Sequence, residues 1–348
     1  MLYSRRPRTP LVVLLGAAFG CIIWAAVHWT PLLTLDGECG LVPFRNATTT
    51  VILMKCIGGA PGGEASVVLA MLRSLESIVM LFTLGTLLSG AKLVLRNFPT
   101  FASSTLPPVP VLILQYASRL TTFTTLSWTL LAAYVVGAAA CSWALVFDCS
   151  VPNTPFMSAV LHLIFAAFQV SPAVSVLITS VVTFVLLPMA TSAQAPGAEL
   201  AALWSWRGQV LHNANAIIVV NELLYGALPL HTNYVSMPLL WSASYVIFAW
   251  WWLRRVGVIY YPFLDPTLKP RFSLVVHTSL LVTVAAIHCV IVYVTSISKS
   301  WEGSIYKALK VMIYYGAALC IMTVRPKKAL RYHREQHRGC DSHVTHMS

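Results

Sequence analysis

The sequence predicts an all-α fold: a polytopic transmembrane helix bundle of about eight spans with both termini cytoplasmic. Three observations carry that reading. The 348-residue chain is 57% hydrophobic and only 10% charged, where a soluble domain usually carries about 25% charged residues. Apolar runs recur from end to end with no long polar linker, so residues 1–348 read as one bundle and not a string of domains. The basic residues also fall largely on one side of the runs taken in order. A mean hydropathy of +0.75 agrees.

Eight apolar runs cover roughly 11–28, 70–95, 120–146, 172–190, 210–228, 234–253, 273–296 and 306–324. About 20 residues cross the hydrocarbon core, and the second and third runs are long enough to tilt. The first run follows Arg5, Arg6 and Arg8 and reads as a retained anchor. A cleaved signal peptide would instead leave seven spans. A ninth piece, "FMSAVLHLIFAAFQV" (156–170), is bounded by Pro155 and the Ser171-Pro172 step. It is short for a span and reads as an interfacial or re-entrant helix.

The formal net charge of +12 would suit a nucleic-acid partner in a soluble protein. Here position matters more than the sum. With a cytoplasmic N-terminus, 17 of the 23 Lys and Arg fall inside: Arg119, Arg207, Arg254, Arg255 and the basic tail 325–348 are among them. The charge is therefore read as topology plus contact with anionic headgroups, and no nucleic-acid partner is expected. The anchor and outer loop (1–69) contain Asn46-Ala47-Thr48, a glycosylation pattern, and Cys39 and Cys56, which could form a disulfide there. The remaining cysteines of the spans read as small core residues. No zinc-ligand spacing occurs, and neither metal nor cofactor is expected.

Polar residues inside apolar runs mark the places where chemistry is expected. "LHNANAIIVVNELLYGALP" (211–229) carries His212, Asn215, Asn221 and Glu222. On a regular helix His212, Asn215 and Glu222 share one stripe, suited to interhelical hydrogen bonds or to a polar cavity. "SRLTTFTTLSWTLLAAY" (118–134) crowds hydroxyls at the start of the third run. Most of them can bond back to helix carbonyls, but one beside a base could be a nucleophile. Thr124 and His212 both lie just inside cytoplasmic ends of their runs, so a contact between them is allowed. Arg73 and Glu76, three residues apart, are expected to neutralise each other. "WWLRRVGVIYYPFLDPTLKP" (251–270) is an interfacial anchor that could also cap a pocket.

The spacing His212 to Glu222, Pro229, the run Trp250 to Trp252, Gly257 and Tyr261-Pro262-Phe263-Leu264 resembles a known family. It is that of the androgen-induced and androgen-dependent membrane hydrolases, which cleave fatty acid esters of hydroxy fatty acids, with their rolling-stone-like relatives. "FTTLSW" is similar to the family's threonine position. The resemblance spans about residues 110–300. It implies an integral membrane threonine hydrolase of the endoplasmic reticulum or plasma membrane, acting on an acyl-chain ester without metal. Thr124 is the implied nucleophile, with Thr122 in the other register, and His212 is the implied base. The outer loop and the last span have no counterpart in the family.

In that mechanism Asn215 or Ser127 could hold the oxyanion. Glu222 lies about 15 Å along the helix from His212 and so plays a supporting or substrate-binding part. The other readings are a non-catalytic multi-pass protein of the rolling-stone type, and a transporter using the polar residues of span five. A receptor ranks last, for want of its usual triplets.

Overall fold

A computed structural model describes residues 47–61, 63–90, 93–96, 106, 111–149, 152, 154–188, 203–299 and 304–323. The expected first run, Asn46, Cys39 and the tail 325–348 lie outside the described residues. The helices are α1 (Ala47–Gly58), α2 (Val67–Ser89), α3 (Phe123–Val146), α4 (Pro155–Val181), α5 (Trp206–Gln209), α6 (Asn215–Tyr225), α7 (Ser236–Val256), α8 (Pro270–Lys299) and α9 (Ser304–Thr323). Among the described residues, four helical segments are long and apolar enough to cross a membrane: Val67–Ser89, Phe123–Val146, Pro155–Leu186 and Pro270–Ser298. The chain is thus a largely α-helical membrane protein.

The polarity of α2 runs opposite to that of a soluble helix. Val68, Met71, Leu75, Ile78 and Phe82, spaced three or four apart, are 60–77% exposed. Arg73, Glu76, Ser77 and Thr83 face inward. Lipid solvates the outer stripe, so burial is reserved for groups that need partners. Trp143 Nε1 donates to Ser74 Oγ at 2.9 Å, tying α3 to α2. Trp128, Tyr134, Phe168, Ile57 and Met80 fill the space where α1 to α4 converge.

Three expectations need correction. The ninth piece and the fourth run are one 32-residue helix, Pro155–Leu186. Pro172 lies inside it with no N–H to offer the Phe168 carbonyl, and a packed membrane helix tolerates that. Thr154 caps its start by accepting from the Met157 amide at 3.2 Å. The second run stops at Ser89, and Leu93–Arg96 pairs antiparallel with Val111–Leu114 as a two-stranded ribbon, an exception to the all-α expectation. Finally, Val182–Leu186 and Val210–Ala214 are π turns, so the fifth run is not a regular helix.

Cys56 is disulfide-bonded. Nearby, α1 docks through Gly58, where a Cβ would sit 2.6 Å from the Cys141 backbone carbon. Gly85 faces open space on the outer side of α2. Gly58→Ala is therefore expected to destabilise the protein by about 1–3 kcal/mol through overpacking. Gly85→Ala should be neutral or stabilising by up to about 1 kcal/mol. Thermal unfolding in detergent compares the two; equal melting points would contradict this packing.

Candidate functional site

Two centres occupy the bundle, one polar and one apolar. The first is a buried ion pair between α2 and α6. Arg73 Nε donates to Glu222 Oε1 at 2.8 Å and Nη2 to Oε2 at 2.7 Å. Arg73 Nη1 also donates to the Ile57 carbonyl at 2.8 Å and to Ser142 Oγ at 2.7 Å. The Tyr134 hydroxyl donates to Glu222 Oε2 at 2.6 Å. Arg73 therefore pairs across the bundle with Glu222, and not with Glu76 on its own helix as expected. A planar guanidinium matches a carboxylate two bonds at a time, which an i, i+3 neighbour cannot offer as well.

Glu76 belongs to an adjoining group. Asn221 Nδ2 donates to Glu76 Oε1 at 2.6 Å, and the Tyr315 hydroxyl donates to Asn221 Oδ1. Asn221 and Glu222 thus spend their polar atoms on helix-to-helix bonds. Among the described residues, no group of three or more His, Cys, Asp and Glu is placed to hold a metal ion.

The second centre is an apolar pocket of about 680 Å³, its open mouth included. It lies where the start of α3, the end of α4 with its π turn, α7, the Tyr-Pro-Phe-Leu loop and α8 meet. Gly257, in the left-handed conformation (φ 79°), ends α7 and turns the chain into that loop. Trp250 Nε1 then donates to the Leu264 carbonyl at 2.8 Å and pins the loop back against its helix. Pro262 begins a short 3-10 turn, and Tyr261, Phe263 and Leu264 face the pocket.

Thr124 lines this pocket, with the Tyr261 hydroxyl 3.4 Å from both its Oγ1 and its amide nitrogen. Burial pushes the Tyr261 phenol above its ordinary pKa, outweighing the opposing bonds from Thr124, so it remains a neutral O–H. Thr122 does not line the pocket. It is the N-cap of α3, accepting from the Thr125 amide at 3.3 Å. Thr121 Oγ1 meets the Tyr260 hydroxyl at 2.6 Å, and Ser127 Oγ accepts from Trp241 Nε1 at 3.1 Å.

His212 sits in the π turn before α6, so it does not share one regular helix with Asn215 and Glu222 as expected. Its carbonyl accepts from Thr179 Oγ1 at 2.7 Å, and Asn215 Oδ1 lies 3.2 Å from the same hydroxyl. Its Nδ1 is buried without a hydrogen-bond partner. No hydrogen bond joins Thr124 to His212 among the described residues, and His212 does not line the pocket. The imidazole that does is His277 of α8. Sequence reasoning passed over it because α7 and α8 look poor in polar residues. The signal was a His four residues after Ser273, followed by Thr278 and Ser279, in a run that also carries His288.

In class, then, this is a helical membrane protein with a buried ion-paired core and a separate apolar pocket. Compared with known protein families, curated proteins and solved structures, the chain matches none.

Unpairing the buried ions should cost far more than removing both. Arg73→Met or Glu222→Met alone is expected to destabilise the fold by about 3–5 kcal/mol, by leaving one charge unpaired. The double variant should recover a good part of that loss. A double-mutant cycle of unfolding free energies in detergent measures it, and additive effects would contradict the coupling.

Proposed function

We propose that the protein is an integral, multi-pass membrane hydrolase of lipid esters, with Thr124 as its nucleophile. The carrying observation is that Thr124 is among the residues lining an apolar pocket, with the Tyr261 phenol 3.4 Å from its hydroxyl. The pocket's wall suits an acyl chain that enters sideways from the bilayer.

Thr124 Oγ attacks the ester carbonyl, and its proton passes to the imidazole assigned as base, His212, which must move from its place outside the pocket wall to receive it. That proton then goes to the leaving alcohol as the C–O bond breaks. The Tyr261 O–H is a donor for the oxyanion of the tetrahedral intermediate. Water hydrolyses the acyl-threonine in the second half of the cycle. Fatty acid esters of hydroxy fatty acids are the substrates that the motif resemblance suggests. Eight spans with cytoplasmic termini, on the distribution of Lys and Arg, and residence in the endoplasmic reticulum or plasma membrane complete this reading.

A second reading is a non-catalytic multi-pass protein that holds a lipid in the same pocket. The missing hydrogen bond between Thr124 and His212 favours it. A transport path is less well supported, because Asn221 and Glu222 are already bonded within the bundle.

Turnover of a panel of branched fatty acid esters by detergent-purified protein separates the readings. Thr124→Ala and His212→Ala should each lower kcat by about 10²–10⁴-fold. Thr122→Ala should lower stability by about 1 kcal/mol through loss of a cap, with turnover retained. A fluorophosphonate probe should label Thr124. Turnover unchanged in both Thr124→Ala and His212→Ala would remove the mechanism.

A further inference from the structure

The hydroxyls of the bundle's helices have a habitual partner, the carbonyl four residues earlier. Ser74, Ser77, Thr83, Ser171 and Thr283 all bond in this way. Ser242, on α7 and in the wall of the pocket, does not. Its Oγ is buried without a hydrogen-bond partner. A buried hydroxyl left unbonded costs about 1–3 kcal/mol, so its exception to the rule has a price.

His277, on α8 in the same wall, is 4% exposed. Its Nδ1 lies 2.7 Å from the Ser273 carbonyl oxygen. A carbonyl can only accept, so Nδ1 carries the hydrogen and the neutral ring presents a lone pair at Nε2. The Trp250 ring packs against the imidazole edge to face, with centroids 5.6 Å apart, and fixes its orientation. Nε2 is buried and has no hydrogen-bond partner. The Thr124, Tyr245 and Tyr261 hydroxyls of the lining residues have partners, so two polar atoms of that lining are left unpartnered: one that can only accept and one hydroxyl that can do either. Around them the wall is apolar, with Leu177, Ile178, Leu280 and Leu281 among its side chains and no Lys, Arg, Asp or Glu.

We infer that this pocket binds a single-chain neutral lipid through a hydroxyl head, whose O–H donates to His277 Nε2 and whose oxygen bonds Ser242 Oγ. A head with no donor, such as an ether or a simple ester, leaves Nε2 unsatisfied. A charged head meets no counter-charge in the wall and is costly to desolvate there. The chain lies along the apolar wall. The occupant shares the pocket with the proposed hydrolysis but depends on none of its chemistry.

The test uses the full chain in detergent with a photoreactive long-chain primary alcohol as probe. Mass spectrometry maps the crosslinked peptides, and unlabelled long-chain alcohol, its methyl ether and the matching fatty acid compete. Crosslinks should fall on the α4, α7 and α8 peptides of the pocket. The alcohol should compete about tenfold better than the ether, the worth of one net hydrogen bond, and better than the carboxylate. His277→Leu should abolish that preference while the ether still competes, and Ser242→Ala should reduce it. If His277→Leu fails to fold, retained preference in Ser242→Ala overturns the inference and its reduction supports it. Equal competition by alcohol and ether in the wild type overturns it, as do crosslinks confined to other surfaces. Thr124→Ala should keep the alcohol preference even where it abolishes ester turnover, so either reading can fail without the other.

Discussion

The ion pair between Arg73 and Glu222 is the constraint on which the rest of the bundle is assembled. Neither group could be left alone at that depth; a lone ion in a low-dielectric interior is penalised by several kcal/mol. Their partners come from four elements: α2 supplies the guanidinium, α6 the carboxylate, α3 the Tyr134 and Ser142 hydroxyls, and α1 the Ile57 carbonyl. Each bond has a length and a direction, so together they fix how far each helix is pushed along the membrane normal. Gly226 shows how tightly this is drawn. A Cβ there would sit 3.0 Å from Glu222 Oε2 and 3.2 Å from Arg73 Nη2. The Ala227 amide next to it donates to the Gly59 carbonyl at 3.1 Å, so the chain ends close over the pair.

The helix Pro155–Leu186 connects this core to the pocket. Its first half packs Phe168 against Tyr134, with ring centroids 5.1 Å apart, and Gln169 Nε2 donates to the Pro229 carbonyl at 2.9 Å. Its second half, beyond Pro172, gives Leu177, Ile178, Val181 and Val182 to the pocket wall. The π turn at Val182–Leu186 widens the helix where it meets the pocket, a geometry often found at functional sites. The two imidazoles of interest occupy different settings. His277 faces the pocket with its tautomer fixed, whereas His212 lies in its own π turn, where Thr179 holds its carbonyl.

The membrane character of the chain was legible because hydropathy is a property of whole runs, and lipid rewards it residue by residue. The Tyr-Pro-Phe-Leu loop was legible as a possible cap because prolines and Gly257 forbid a continuous helix there. What escaped was long-range pairing. Nothing local distinguishes Arg73 bonding to Glu222, 149 positions away, from Arg73 bonding to Glu76. Pro172 misled for a related reason: its local rule is to break a helix, and packing on both sides overrode it. The ribbon of Leu93–Arg96 with Val111–Leu114 was hidden because its first strand continues the hydropathy of α2. His277 escaped since nothing local separates it from His288 on the same helix until a pocket is seen beside it.

The outward stripe of α2 has a consequence for how this chain tolerates change over generations. Where a side chain meets acyl tails, exchange among Val, Leu, Ile, Met and Phe alters little, because neither shape nor bonding is specified by a fluid neighbour. Inward positions such as Arg73, Ser142 and Glu222 admit almost no exchange, since every atom there is already committed. Drift should therefore accumulate among the greasy positions and stall at the polar ones, the reverse of the pattern in water-soluble proteins.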